Sequence, residues 1–121
     1  MTLGFMERWP GGGATNFVAL ILCGIKIHSF REDPADRWGA GKIIHFVTGN
    51  RTPKRRQFRR GECYGKQRLI IRDRRVWIDG REYYDIETLA RNDGFPSMDM
   101  FWQYFSPGFR GFIIHWTDFK Y

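Results

Sequence analysis

A chain of 121 residues suits one hydrophobic core, and 42% hydrophobic with 17% aromatic residues supplies the apolar area to fill it. No apolar run reaches the ~18 residues that would suggest a membrane span, and the N-terminus, with Glu7, Arg8 and then Pro10-Gly-Gly-Gly13, lacks the basic-then-apolar order of a secretory signal. A formal net charge of +7 predicts attraction to polyanions, so the expectation is one cytoplasmic domain over residues 1–121 with no membrane partner.

Residues 1–14 read as an N-terminal segment, the part most open to disorder. Thr15 or Asn16 then caps a short helix over Phe17, Leu20 and Ile21, and Gly24 stands where a left-handed glycine would end it. Lys26 to Arg31 alternates as a short strand, followed by turns at Arg31-Glu-Asp-Pro34 and Trp38 to Gly41. The β-branched, apolar run Lys42 to Thr48 predicts a core strand, and Gly49-Asn50 leads out of it. Farther on, Arg68–Ile71 and Arg75–Ile78 flank Arg72-Asp73-Arg74 as a hairpin, with a turn at Asp79-Gly80. Ile86, Leu89 and Ala90 give one apolar face to a helix over 85–92 that Asp93-Gly94 stops. Ser97 caps another helix, with Asp99 in its first turn and Phe101, Trp102 and Phe105 as packing area before Pro107-Gly108. The apolar stretch from Gly111 to Thr117 predicts a closing strand suited to a barrel interior.

The charge is concentrated. Arg51 to Arg81 holds twelve Lys and Arg against Glu62, Asp73 and Asp79, a net of +9, so the rest of the chain carries −2. Residues 50–66 read as a basic loop in which Arg51, Lys54, Arg55, Arg56, Arg59 and Arg60 neutralise successive phosphates. The plainer alternative is a solvated basic loop, whose like-charge repulsion would have no compensation.

Neither Cys23 nor Cys63 has zinc-site spacing; both read as reduced thiols, Cys23 as a small buried hydrophobe inside an apolar stretch. His28, His45 and His115 lie in strands without metal-ligand spacing, and no metal or cofactor is implied. His28 is the one placed to contact a base or phosphate. Trp38, Trp77, Trp102 and Trp116 read first as core, with Trp38 in its Gly-rich turn best placed to stack on a base.

The order Gly24-x-Lys26-x-x-Ser29-x-Arg31 resembles the G-x-K-x-x-T/S-x-R signature of ASCH domains. The resemblance extends through Arg37-Trp-Gly-Ala-Gly41, Leu89-Ala-Arg-Asn-Asp93-Gly-Phe95 and Ile114-His-Trp-Thr-Asp118, with the basic loop least shared. It implies an α+β fold of the PUA-like superfamily, a small, mostly antiparallel β-barrel with peripheral short helices, and RNA or a nucleoside as the partner. By similarity to members that hydrolyse N4-acetylcytidine, Lys26 would be the base, Ser29 the nucleophile and Asp93 the acid. Gly24, His28, Arg31 and Trp38 would bind substrate. This chain has Ser29 and Asp93 where that pattern more often has threonine and glutamate, so Asp93 loses a methylene of reach. A ribonuclease or a non-catalytic RNA-binding module is the alternative.

The chemistry sets conditions. A lysine near its usual pKa of ~10.4 is almost wholly protonated at neutral pH, so Lys26 must be desolvated or set beside a cation such as Arg31. Strand alternation sends positions 26 and 29 to opposite faces, so Lys26 must stand on an irregular junction ahead of the strand. Without the resemblance, Lys26 reads as an exposed lysine, Ser29 as a strand hydroxyl, and Arg31 as an ion-pair partner of Glu32 or Asp33.

Overall fold

Alternating apolar side chains and three hairpin reversals, at 49–55, Asp73-Arg74 and Asp79-Gly80, organise the chain into two sheets. The computed structural model describes all 121 residues. Its strands are β1 (Thr2–Phe5), β2 (His28–Arg31), β3 (Ile43–Thr48), β4 (Arg56–Glu62), β5 (Gly65–Arg72), β6 (Arg75–Ile78), β7 (Arg81–Tyr83) and β8 (Phe109–His115). The helices α1 (Phe17–Leu22), α2 (Ile86–Asn92) and α3 (Met98–Tyr104) are short. One sheet has the order β1-β3-β4 and the other β2-β8-β5-β6-β7, and every pairing is antiparallel except β1 with β3. The class is α+β.

The two sheets do not close into a barrel. Glu62 passes through Cys63 and Tyr64 directly into Gly65, so β4 and β5 carry the chain from one sheet to the other. On the opposite side, β1 and β2 are both edge strands that share no backbone ladder. Instead, Arg31 Nη2 on β2 donates to the Gly4 carbonyl on β1 at 2.7 Å. A side chain spans the seam that a strand ladder would close.

The expected basic loop is corrected: Arg56–Glu62 is a strand paired with β3, and the chain reverses ahead of it, where Arg51 has φ 63°. Arg51, Lys54, Arg55, Arg56 and Arg60 are exposed, whereas Arg59 turns inward, its guanidinium 5.3 Å from the Phe46 ring. Residues 2–5, in the segment most open to disorder, form β1 because Leu3 and Phe5 are buried against β3. Neither expected cap closes α1 in the usual way. Asn16 sits in the left-handed region at φ 59° without a side-chain cap, while Thr15 Oγ1 accepts the Phe17 N–H at 3.3 Å. Ser97 does cap α3 through the Met100 N–H, and Asp85 caps α2 through the Thr88 N–H.

The core gathers Phe46, Leu69, Ile113 and Phe101, all fully buried, with Phe101 and Phe105 set against Phe30 of β2 and Phe17 against Phe5 of β1. Phe101 and Phe105 belong to it, as their helical spacing predicts. No helix is long and apolar enough to cross a membrane.

Cys23 is exposed at the end of α1, and it is Cys63 that is buried, because the inward face of this two-turn helix is taken by Phe17 and Ile21. A thiol-reactive disulfide reagent should therefore modify one cysteine per chain in the native protein and two after denaturation; Cys23→Ser should abolish the fast phase.

Candidate active site

The helix-ending turn at Gly24, with φ +83°, returns the chain so that the Lys26 N–H reaches the Leu20 carbonyl at 3.0 Å. Strand β2 begins only at His28, so Lys26 lies on the irregular junction before it and escapes the strand alternation. Its side chain runs inward and is 1% exposed. The amine donates to the His28 carbonyl at 2.9 Å and to the Asp93 carbonyl at 2.5 Å, and lies 3.3 Å from Asp93 Oδ1. It also stands 4.6 Å from the centre of the Phe17 ring.

Burial pushes the Lys26 pKa from 10.5 down to about 8; the Asp93 carboxylate opposes this and the Arg31 guanidinium adds to it. Roughly a tenth of such an amine is neutral at pH 7, against well under a thousandth for an ordinary lysine.

Asp93 ends α2 and is itself buried, so its carboxylate has few partners besides protein. His28 Nδ1 stands 3.0 Å from Asp93 Oδ1, and His28 Nε2 is bonded to the Tyr121 hydroxyl, which accepts from Asn92 Nδ2 at 3.0 Å. Burial lowers the His28 pKa below 6.5, against the pull of Asp93, so the ring is neutral. The consistent arrangement has Nδ1–H donating to the carboxylate and Nε2 accepting the tyrosine O–H. His28 thus faces inward with both ring nitrogens occupied. It steadies Asp93 and leaves no nitrogen for a base or phosphate, correcting the substrate-contact expectation. Next to it, His115 is held neutral, its pKa near 3, by burial first and then by His28 and Lys120.

Ser29 and Arg31, two apart on β2, point together to the other side of the strand, where Arg31 Nε donates to Ser29 Oγ at 3.2 Å. Arg31 pairs with neither Glu32 nor Asp33. Its partners are the Gly4 carbonyl and the Phe5 ring, 5.3 Å away. Asp33 instead takes Lys66, the Arg37 N–H and the Trp38 N–H.

Lys26, Ser29, Arg31 and Asp93 line a single cavity of about 410 Å³, whose walls are mainly apolar and aromatic, with Phe5, Trp9, Phe17, Phe30 and Phe95 among them. That is within the size range of small-ligand sites, and flat rings around a few polar groups suit a planar heterocycle. Gly24 lies outside the cavity, exposed at the helix end, and a Cβ added to it would meet nothing within 4 Å. Trp38 is also outside; with Arg31, Glu32 and Asn50 it borders an adjoining cleft of about 560 Å³. Phe5 and Trp9 escape the sequence reading because they belong to the N-terminal segment, the part most open to disorder. Asn92 and Tyr121 were missed because no spacing announces a hydrogen-bond chain between residues so far apart in sequence.

Gly94 closes over Lys26 at φ +91°; a methyl group there would come within 3.0 Å of Phe17 and 3.1 Å of Lys26 Cδ. Gly94→Ala should cost roughly 1–2 kcal/mol for the left-handed backbone and roughly 1–3 kcal/mol more for overpacking, whereas Gly24→Ala should cost only the backbone part, both read by denaturant unfolding. The Lys26 titration can be followed by NMR of its Cε. Asp93→Asn should move the midpoint below about 8 and Arg31→Met above it. Because the folded value lies under the unfolded one, the penalty for burying Lys26 is present below pH 8 and relieved as pH rises towards 10.5. Wild type should accordingly gain on the order of 3 kcal/mol relative to Lys26→Met across that window.

No family model matches the chain, and neither does any curated protein or solved structure.

Proposed function

We propose that this chain is an ASCH-type domain that binds a pyrimidine nucleoside in the cavity and hydrolyses the amide of N4-acetylcytidine to cytidine and acetate. One observation carries the reading: an amine shifted to about 8, a hydroxyl and a carboxylate line the same aromatic-walled cavity. Those are the base, nucleophile and proton carrier that amide cleavage needs.

In this reading neutral Lys26 takes the Ser29 proton as Oγ bonds to the acetyl carbon. Arg31, already donating to Oγ, stabilises the negative charge that develops beside it. The proton on Lys26 passes through Asp93, 3.3 Å away, to the exocyclic nitrogen as the C–N bond breaks. Water then attacks the acetyl ester and gives a proton to Lys26, which returns it to Ser29 Oγ as the ester bond breaks; acetic acid leaves and ionises to acetate in solvent. Exposed Arg51, Lys54, Arg55, Arg56 and Arg60 supply phosphate contacts if the nucleoside belongs to an RNA.

A second reading has support of its own. The Lys26 amine is occupied by two carbonyls and a carboxylate, and Ser29 Oγ is bonded to Arg31. That closed set suits a site that binds a nucleoside without cleaving it, and a ribonuclease would use the same groups differently.

Incubation with N4-acetylcytidine, following acetate and cytidine, decides among these. Turnover is expected to rise with pH up to about 8, the pKa of Lys26. Ser29→Ala and Lys26→Met should each lower it by at least ~100-fold, and Ser29→Thr should retain much of it. Nucleoside binding without acetate release would identify the binding module, and cleavage of unmodified RNA would identify the ribonuclease.

A further inference from the structure

A second concentration of positive charge lies on the five-stranded sheet. Arg72 stands opposite Arg75, Ile70 opposite both Trp77 and Arg110, and Arg68 opposite Phe112, so these side chains share one face. The alternate residues Leu69, Ile71, Val76 and Ile78 are buried on the other. All four arginines are exposed, while Trp77 and Phe112 are half-buried between them.

The guanidiniums are laid on the rings. Those of Arg72 and Arg75 lie 5.5 Å and 5.0 Å from Trp77, and that of Arg68 lies 5.6 Å from Phe112. Of the four, Arg75 is ion-paired, with Glu82 at 2.6 Å, and Arg68, Arg72 and Arg110 have no carboxylate partner. Like charges held this close repel one another, and an anionic partner would relieve that. The span from Arg68 to Arg72 is about 13 Å along the strand, and three strands give a width of about 10 Å, room for a few nucleotides.

We propose that single-stranded nucleic acid lies across this face, with phosphates on Arg68, Arg72 and Arg110 and bases stacking against Trp77 and the guanidinium planes. A single strand fits better than a duplex, because an aromatic platform can use only bases whose faces are free. It fits better than a lipid surface, because of the most exposed large apolar side chains only Tyr84, beside Glu82 at the β7 edge, lies by this face, and a single tyrosine among arginines offers a base a stacking partner rather than a bilayer an apolar patch. None of these residues lines the cavity, although Arg31 stands opposite Phe112 on the neighbouring strand, and the proposal stands or falls independently of the hydrolase reading.

The test is fluorescence anisotropy of the full chain with labelled twelve-nucleotide oligo-U and oligo-dT, with a duplex of equal length, and with phosphatidylserine vesicles. Either single strand should bind, and more tightly than the duplex or the vesicles. Arg68→Gln/Arg72→Gln/Arg110→Gln should weaken single-strand binding by about a hundredfold and reduce the slope of log affinity against log salt by about 2. Trp77→Leu, which keeps an apolar group on the sheet, should weaken it about tenfold. Thermal unfolding confirms that each variant is folded.

The proposal is overturned if the triple variant binds like wild type while Arg55→Gln/Arg56→Gln/Arg60→Gln loses binding. It is overturned equally if the duplex or the vesicles bind more tightly. Hydrolysis of free N4-acetylcytidine should be unchanged in the sheet-face triple variant. Acetate release with no effect of the triple variant on oligonucleotide binding removes this face alone. Loss of oligonucleotide binding in the triple variant, with a wild type that releases no acetate, removes the hydrolase reading alone.

Discussion

The buried Lys26 ammonium is the constraint around which the middle of this molecule is built. An unpaired charge at that depth would cost several kcal/mol, so the fold brings it two backbone carbonyls and a carboxylate. Those acceptors come from both sides of the molecule: one from the start of β2, the other two from the residue that ends α2. The same contacts that make the charge tolerable therefore fix the distance between the first helix-strand junction and the second helix. His28 and Tyr121 extend the arrangement, holding the carboxylate from behind so that it is not free to rotate toward solvent.

This arrangement places binding and reactivity in opposition. Each hydrogen bond that stabilises the ammonium raises the pKa of Lys26, whereas burial and then the Arg31 guanidinium lower it; the balance falls at about 8. A drier cavity would favour the neutral amine. A planar ligand seated among Phe5, Phe17 and Phe95 would exclude water and shift the balance in that direction, so occupancy of the site and availability of the amine are coupled through the dielectric.

The elements that could be read from sequence are those that bury one face. Ile43–Thr48, the hairpin around Asp73-Arg74, and the helices begun at Asp85 and Ser97 all carry their period openly. Strand β4, with the sequence RQFRRGE, has no apolar alternation because it is the edge of its sheet and both faces are largely wet, so it resembles a loop. Its arginines also deter another edge from pairing there. Strand β7, of three residues, is too short for a period, and β1 offers only Leu3 and Phe5 ahead of a glycine-rich stretch, with no hairpin turn to mark it. The convergence of Lys26 with Asp93 follows from no local pattern, since 67 residues separate them; only the resemblance of the segments around Gly24 and Gly94 suggested it. The reversed fates of Cys23 and Cys63 have the same origin: hydrophobic neighbours in sequence do not say which side of a two-turn helix faces in.

The seam between β1 and β2 has a mechanical consequence. One wall of the cavity, Gly4 to Met6, hangs on the outermost strand of a three-stranded sheet, held by a ladder on one side and by the Arg31 guanidinium on the other. The inward residues of that strand, Leu3 and Phe5, are buried, with Phe5 edge-on to Trp116 just beyond β8, so the core fastens it as well. The guanidinium ties the cavity wall across a seam with no ladder, and a ligand group that drew Arg31 away from the Gly4 carbonyl would remove that tie while Leu3 and Phe5 keep the strand seated.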